Sequence, residues 1–307
     1  MAAMVDDLEN LRLGDSTWRV WTLAIRPKTL SAAVAPVLIA AGLAAMNDAF
    51  VLLPVVAAFA GAIFIQIGTN LANDYYDHFL GADTPDRVGP LRVTQFGLIP
   101  PNRVWCGMMV ALAIASMIGV YLIKVGGWPI LWIGLASLVS AVAYTGGPYP
   151  LAYHGLGDLF VFTFFGLVAV GGTYWVQTLS LPGEVLLAGS GIGALSTAIL
   201  VANNLRDLES DALVGKRTLA VRLGRTGSRM EYVLLLAVGF STPALGVALF
   251  GWPPTSLIAL LAAFAALTPM TLIMTRDQGQ DLIPALPGTA RLVGLYGLLL
   301  AMGLALG

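Results

Sequence analysis

Long apolar stretches separated by short polar connections run through the whole chain, at 29–46, 51–72, 104–123, 128–144, 159–178, 185–202, 232–250, 255–274 and 290–306. Each approaches the ~20 residues that an α-helix needs to cross a hydrocarbon core. The pattern predicts an all-α integral membrane fold of nine transmembrane helices. The first and fourth runs are short, and Pro36 and several glycines interrupt the apolar pattern, so tilted or kinked spans are expected and eight or ten crossings fit almost as well. No run is separated from the rest by a linker, so 1–307 reads as one transmembrane domain with a polar tail at 1–20 and two long loops at 73–103 and 203–230.

Composition supports the same picture. With 58% hydrophobic and 11% charged residues and a mean hydropathy of +0.83, the chain is too apolar for a soluble domain. The single cysteine, Cys106, excludes a disulfide framework and a thiolate metal cluster, and it reads as buried, inert packing. A net charge of -1 offers no surface for a polyanion, so no nucleic-acid partner is expected. Residues 1–17 carry Asp6, Asp7, Glu9 and Asp15 and no apolar segment, unlike a signal or transit peptide. The expected location is a bacterial cytoplasmic membrane, with lipid as the main solvent.

Charge distribution orients the spans. With nine crossings, one side collects Arg12, Arg19, Arg26, Lys28, Arg87, Arg92, Arg103, Arg206, Lys216, Arg217, Arg222, Arg225, Arg229, Arg276 and Arg291. Of the 16 basic residues only Lys124 is left for the other side. Positive charge marks the cytoplasmic face, which predicts a cytoplasmic N-terminus and an external C-terminus. Both long loops then lie in the cytoplasm, and the opposite connections are only a few residues long, so the chemistry is expected on the cytoplasmic side.

Each long loop opens with an Asn followed by Asp residues where an apolar helix ends. The first motif runs Asn70, Asn73-Asp74-Tyr75-Tyr76-Asp77, His78, Gly81 and Asp83. If the helix continues into it, Asn73 and Asp77 share a face, with Asn70 one turn below. The second runs Asn203-Asn204-Leu205-Arg206-Asp207, Glu209, Asp211 and Gly215-Lys216-Arg217-Thr218. There Asn203, Asp207 and Asp211 recur every four residues, as a stripe of oxygen ligands. The repeated Asn-x-x-x-Asp suggests an internal duplication of two four-helix units.

Carboxylates crowded on one helix face near lipid repel each other unless a cation joins them. Mg2+ is the cation that suits them: it takes oxygen ligands, typically one or two carboxylates completed by substrate phosphates. Two facing stripes suit a diphosphate held between two such ions. The candidate metal ligands are Asn73, Asp74, Asp77, Asp83, Asn203, Asn204, Asp207 and Asp211, of which Asp74, like Glu209, also reads as plain surface. Arg87, Arg92, Arg206, Lys216 and Arg217 lie in the same loops and offer charge to phosphate. Lys28, before the first span, reads either as a headgroup marker or as a cation of the site. A third stretch, Tyr144-Thr145-Gly146-Gly147-Pro148-Tyr149-Pro150 followed by Tyr153, His154 and Asp158, predicts a defined turn. Tyr144, Tyr149 and His154 read equally as interfacial residues and as substrate contacts. Asp158 reads first as the cap of the following helix and second as a substrate contact.

These motifs together resemble the UbiA superfamily of intramembrane aromatic prenyltransferases. The likeness runs from Arg26-Pro27-Lys28-Thr29 to the last span. Asn73 to Asp77, Gly81 to Thr84, Arg87 to Pro90, Tyr144 to Pro150, Asn203 to Asp207 and Gly215 to Val221 are most similar to the branch that prenylates 1,4-dihydroxy-2-naphthoate in menaquinone synthesis. His78 and the run from Leu91 to Gln95 depart from that pattern. The resemblance implies helices around a central cavity open to lipid, which a polyprenyl diphosphate enters from the bilayer. It implies catalysis by Asp77, Asp207 and Asp211 through Mg2+, with Lys28, Arg87, Arg92, Arg206 and Lys216 on the diphosphate. It further implies an aromatic acceptor, oriented by Tyr144, Tyr149 or His154, that loses CO2 as it is prenylated. Tyr75, Tyr76, Phe162 and Trp175 are candidates for the wall that shields the allylic cation.

Three other readings compete. A different aromatic acceptor, such as 4-hydroxybenzoate, homogentisate or a phylloquinone precursor, would keep the fold. An ion-coupled transporter would place its acidic residues near the bilayer midplane, whereas these lie at a helix boundary. A lipid phosphotransferase would need one compact Asp/Gly motif.

Overall fold

The computed structural model describes residues 17–81, 88–89 and 92–307, with the side chains of Thr17 and Lys28 outside the description. All regular structure among these residues is helical. Helix α1 (Thr17–Ile25) turns at Arg26, whose φ of 55° is left-handed, into α2 (Leu30–Met46). Then follow α3 (Leu52–Phe79), α4 (Pro101–Gly126), α5 (Trp128–Ala143), α6 (Gly157–Thr178) and α7 (Gly183–Arg206). A short α8 (Leu208–Leu213) precedes α9 (Leu219–Phe250), α10 (Pro254–Thr275) and α11 (Ala285–Ala305).

Every apolar run thus became a helix. Among the described residues seven helices are long and apolar enough to cross a membrane, and α1 with α2, bent by 63°, makes an eighth candidate. Helix α5 is apolar but has 16 residues. Prolines set several starts: Pro101 and Pro129 lie in the first turns of α4 and α5, where the missing N–H costs nothing.

The buried apolar side chains form two clusters. The larger joins α2, α6, α7, α9, α10 and α11; the smaller joins α1, α3, α4 and α5 with Val93 and Ile99 of the first long loop. Helix α7 is the most buried span. Lipid supplies no hydrophobic force between helices, so they associate through close packing of small residues. At the crossing of α6 and α7, a Cβ on Gly166 would run into the carbonyl oxygen of Gly189 and the backbone of Gly193. Helix α6 widens into a π turn over Thr163–Val168 at this point.

At the end remote from the two motifs, Glu184 accepts from Asn47 (2.9 Å) and from the Trp252 indole (3.2 Å), and Asn47 also donates to the Tyr174 hydroxyl. These bonds tie the starts of α7 and α10 to the end of α2. Cys106 corrects one expectation, because it is exposed on α4. In a membrane an apolar side chain satisfies lipid as well as protein, so apolar character alone does not predict burial.

Gly166→Leu is expected to destabilise the protein by about 1–3 kcal/mol, because both neighbours are backbone and cannot yield. Gly134→Ala, where nothing lies within 4 Å, is expected to leave the unfolding midpoint unchanged. Thermal unfolding in detergent compares them, and equal midpoints for Gly166→Leu and wild type would rule out the tight crossing.

Candidate active site

A cavity of about 720 Å³ runs between the two clusters. Its head is lined by Asn73, Asp77, Arg92, Tyr144, Thr145, Asn203, Asn204 and Lys216, and its far end by Ile123, Ile130 and Val176. The wall between them is mostly apolar, with Phe160, Phe164 and Phe165 on α6. Both motifs therefore meet at one pole of a long greasy chamber.

In the first motif α3 stays helical through Asp77, which puts Asn73 and Asp77 on one face as the spacing predicts. Asp77 receives Arg92 (2.8 Å) on one oxygen and the Tyr153 hydroxyl (2.9 Å) on the other. Asn73 accepts from Thr145 (2.9 Å). Asp74 is not surface: it is 1% exposed, with Arg26 at 3.4 Å, Arg92 at 3.5 Å and Thr94 at 3.4 Å. One turn below, Asn70 donates to the Ile25 carbonyl (2.8 Å) and to Thr29 (3.1 Å), so it fastens the bend between α1 and α2.

The second motif is not one continuous helix. Helix α7 ends at Arg206, Asp207 leaves the helical region, and α8 restarts at Leu208. The four-residue ladder nevertheless continues, with Asp207 N–H bonded to Asn203 and Asp211 N–H to Asp207. Arg206 forks onto both oxygens of Asp207 (2.8 and 2.6 Å) and also reaches Asn203 (2.9 Å). Lys216 lies 3.4 Å from Asp211 and 5.3 Å over the Tyr153 ring. Glu209, by contrast, is an exposed partner of Arg225. Asp207, Asp211 and Arg206 are buried beside the cavity head, behind its lining.

The connector between α5 and α6 contributes unequally. Tyr144, just past the end of α5, faces the cavity. Burial first, then the charges of Asp158, Asp77 and Asp211, raise its hydroxyl pKa well above the usual value, so it stays a protonated donor. Tyr149 and His154 stack on each other at 3.7 Å outside the cavity lining, and Tyr149 is exposed. Tyr153 and Thr145, not singled out by spacing, bond the two predicted ligands of the first motif. Asp158 is not the cap residue of α6, a position held by Leu156 without a side-chain bond. It sits in the first turn and lines the cavity.

Tyr75, Tyr76, Phe162 and Trp175 are absent from the cavity wall. Phe160, Phe164 and Phe165 form it instead: Phe160 and Phe164 stand one turn apart on one face of α6, whereas Phe162, two residues from Phe160, points away from it. Asp83 and Arg87 lie outside the described residues, as does the Lys28 side chain.

A membrane-embedded helical bundle with paired Asn/Asp helix ends over an apolar chamber defines the class of intramembrane prenyltransferases. The chain matches the UbiA prenyltransferase family over residues 33–286, and it belongs to that family. It is 40% identical over 288 residues to a 1,4-dihydroxy-2-naphthoate octaprenyltransferase of Mycobacterium tuberculosis, covering 94% of this chain and 97% of the relative. Its fold is similar to that of a UbiA homolog from Aeropyrum pernix K1 (TM-score 0.68, 17% identity, 91% of this chain and 97% of that one). It is also similar to a UbiA homolog from Archaeoglobus fulgidus bound to GPP and Mg2+ (TM-score 0.63, 15% identity, 92% and 99%).

Replacing Asp74 by Ala removes the buried carboxylate that lies between Arg26 and Arg92, the latter still held by Asp77, and is expected to cost about 3 kcal/mol of stability, the low end for a broken buried pair. Glu209→Ala removes an exposed pair and is expected to change little. Unfolding midpoints in detergent separate the two, and equal midpoints would show that Asp74 anchors nothing.

Proposed function

We propose that this enzyme transfers a polyprenyl group from its diphosphate to 1,4-dihydroxy-2-naphthoate, releasing diphosphate and CO2 and giving a demethylmenaquinol. The observation that carries this reading is the convergence of both motifs on one end of a single apolar cavity. Anionic head and hydrocarbon tail of the donor then each find a matching environment. Kinship with the octaprenyltransferase supports the choice of acceptor.

Among the described residues seven helices, or eight with the bent pair, are long and apolar enough to span, and in this reading the 16-residue α5 crosses as a ninth. That count supports a cytoplasmic N-terminus and motif face, an external C-terminus, and residence in a bacterial cytoplasmic membrane, in line with the positive charge on the motif side.

The donor set at the head fits Mg2+, being made of carboxylate and amide oxygens, with Asp77, Asp207 and Asp211 each beside a cation that marks a site of negative potential. Asn73, Asp77, Asn203, Asp207 and Asp211 would hold it, and the two motifs suit two ions. Bound there, Mg2+ neutralises the diphosphate and stabilises its departure. Arg92, Arg206 and Lys216 stand close enough to exchange a carboxylate for a phosphate oxygen, with Lys28 and Arg87 as further cations. Asp74, turned to Arg26 and Arg92, serves as an anchor in this reading; Asn204 and Asp83 remain outer ligands.

Phe160, Phe164 and Phe165 keep water from the allylic carbon and present π faces to its developing charge. As the C1–O bond breaks, its electron pair leaves with the diphosphate. The ring carbon bearing the carboxylate then forms the new C–C bond, and loss of CO2 returns electrons to the ring. Tyr144, a donor facing the cavity, is favoured over Tyr149 and His154 as the acceptor contact. A transporter reading finds no support in carboxylates gathered at one pole.

Purified protein in lipid is expected to convert 1,4-dihydroxy-2-naphthoate and a polyprenyl diphosphate to the decarboxylated product, and chelating Mg2+ is expected to stop it. Asp77→Ala and Asp207→Ala are each expected to lower kcat/KM by about 100-fold or more, the scale of lost transition-state stabilisation. Full turnover in either variant would remove that ligand from the proposal, and prenylation of 4-hydroxybenzoate alone would overturn the acceptor.

A further inference from the structure

Asp158 is the second residue of α6, 7% exposed, and lines the cavity. Its Oδ2 has no hydrogen-bond partner, and among the described residues no Lys or Arg pairs with it. Tyr144, from the end of α5, lines the same cavity. A buried carboxylate so arranged costs stability and gives none back to the fold.

A second acceptor atom faces the same space. Asn70 must turn its amide N–H groups to the Ile25 carbonyl, so its oxygen accepts from Gln66 Nε2 at 3.2 Å. That fixes the orientation of the Gln66 amide and leaves its Oε1, buried in the cavity wall, without a partner. Among the described residues the cavity wall thus offers two partnerless acceptor-only oxygens, Asp158 Oδ2 and Gln66 Oε1, together with the Ser196 hydroxyl, which can also donate. A prenyl chain has no hydrogen to donate, and a diphosphate is repelled by Asp158. A ligand bearing O–H groups satisfies both atoms.

We infer that Asp158, with Gln66 as second acceptor, binds the ring hydroxyls of the aromatic substrate; the inference rests on the function proposed above for the identity of that substrate. Asp158 repels the substrate carboxylate and so turns it toward Arg92 and Lys216, while the hydroxyl bond feeds electron density into the ring that attacks. Tyr144 helps define this level: its hydroxyl packs over Gly157, where a Cβ would lie 3.0 Å away, and it feels both Asp158 and the motif carboxylates Asp77 and Asp211.

The test uses the full chain in lipid nanodiscs as wild type, Asp158→Ala and the isosteric Asp158→Asn, the latter guarding against a folding defect. Turnover of 1,4-dihydroxy-2-naphthoate is measured with inhibition constants for 1-hydroxy-2-naphthoate, 4-hydroxy-2-naphthoate and 2-naphthoate. Asp158→Ala is expected to lower kcat/KM for the diol about 10- to 100-fold, the worth of a hydrogen bond to a charged group. At least one monohydroxy acid should weaken by a similar factor, while 2-naphthoate and the KM for the prenyl diphosphate stay put. Asp158→Asn should move the same values in the same direction by less. Equal weakening of all three inhibitors, or unchanged diol kinetics, overturns the assignment. A wild-type enzyme that ignores the diol and prenylates 4-hydroxybenzoate overturns the acceptor alone, and the same comparison is then read with benzoate as the hydroxyl-free inhibitor.

Discussion

Burial of charge at the edge of a hydrocarbon medium is the constraint on which the motif end of this protein depends. A carboxylate there must be paired or it raises the energy of the fold by several kcal/mol. The chain answers by bringing cations from loops: Arg92 to Asp77, Arg26 and Arg92 to Asp74, Lys216 to Asp211. Each pair therefore does structural work before any substrate arrives. Residues 92–99, the α5–α6 connector and the segment after α8 are all tied to the motif end by these pairs and by the Tyr153 bond to Asp77.

That economy constrains the catalytic reading as well. Guanidinium and ammonium groups already desolvated against carboxylates lose less on meeting a phosphate than solvated ones would. The exchange conserves charge pairing throughout, which is what a low-dielectric site requires. An enzyme of this kind has no need of a preformed metal cage; it needs oxygen ligands whose present partners can change places.

Sequence alone reached the helices and both motifs because each rests on a local rule: apolar length for the spans, four-residue spacing for Asn73 with Asp77 and for Asn203 with Asp207. It failed where the answer depended on facing. In water an apolar side chain points inward, but in lipid both faces are apolar, so the pattern does not say which residues meet protein. Cys106 was placed inside and lies outside, and Phe162 was placed on a cavity that Phe164 and Phe165 occupy. A π turn at Thr163–Val168 leaves no signal in composition. Tyr153 and Thr145 escaped because their partners are more than 70 positions away in sequence.

The two motifs also differ in a way their similar spacing hides. Asp207 and Asp211 find partners within their own segment, in Arg206 and Lys216, so the second motif is nearly complete once α7, α8 and the following turn form. Asp77 and Asn73 draw theirs from Arg92, Thr145 and Tyr153, on two separate loops. The first motif therefore has these partners only once the α3–α4 loop and the α5–α6 connector lie over the end of α3. Lys216 over the Tyr153 ring joins the halves directly. The described pairs of the second motif are short-range in sequence and those of the first are not, so the two units share the Asn-x-x-x-Asp spacing while the pairing around it differs.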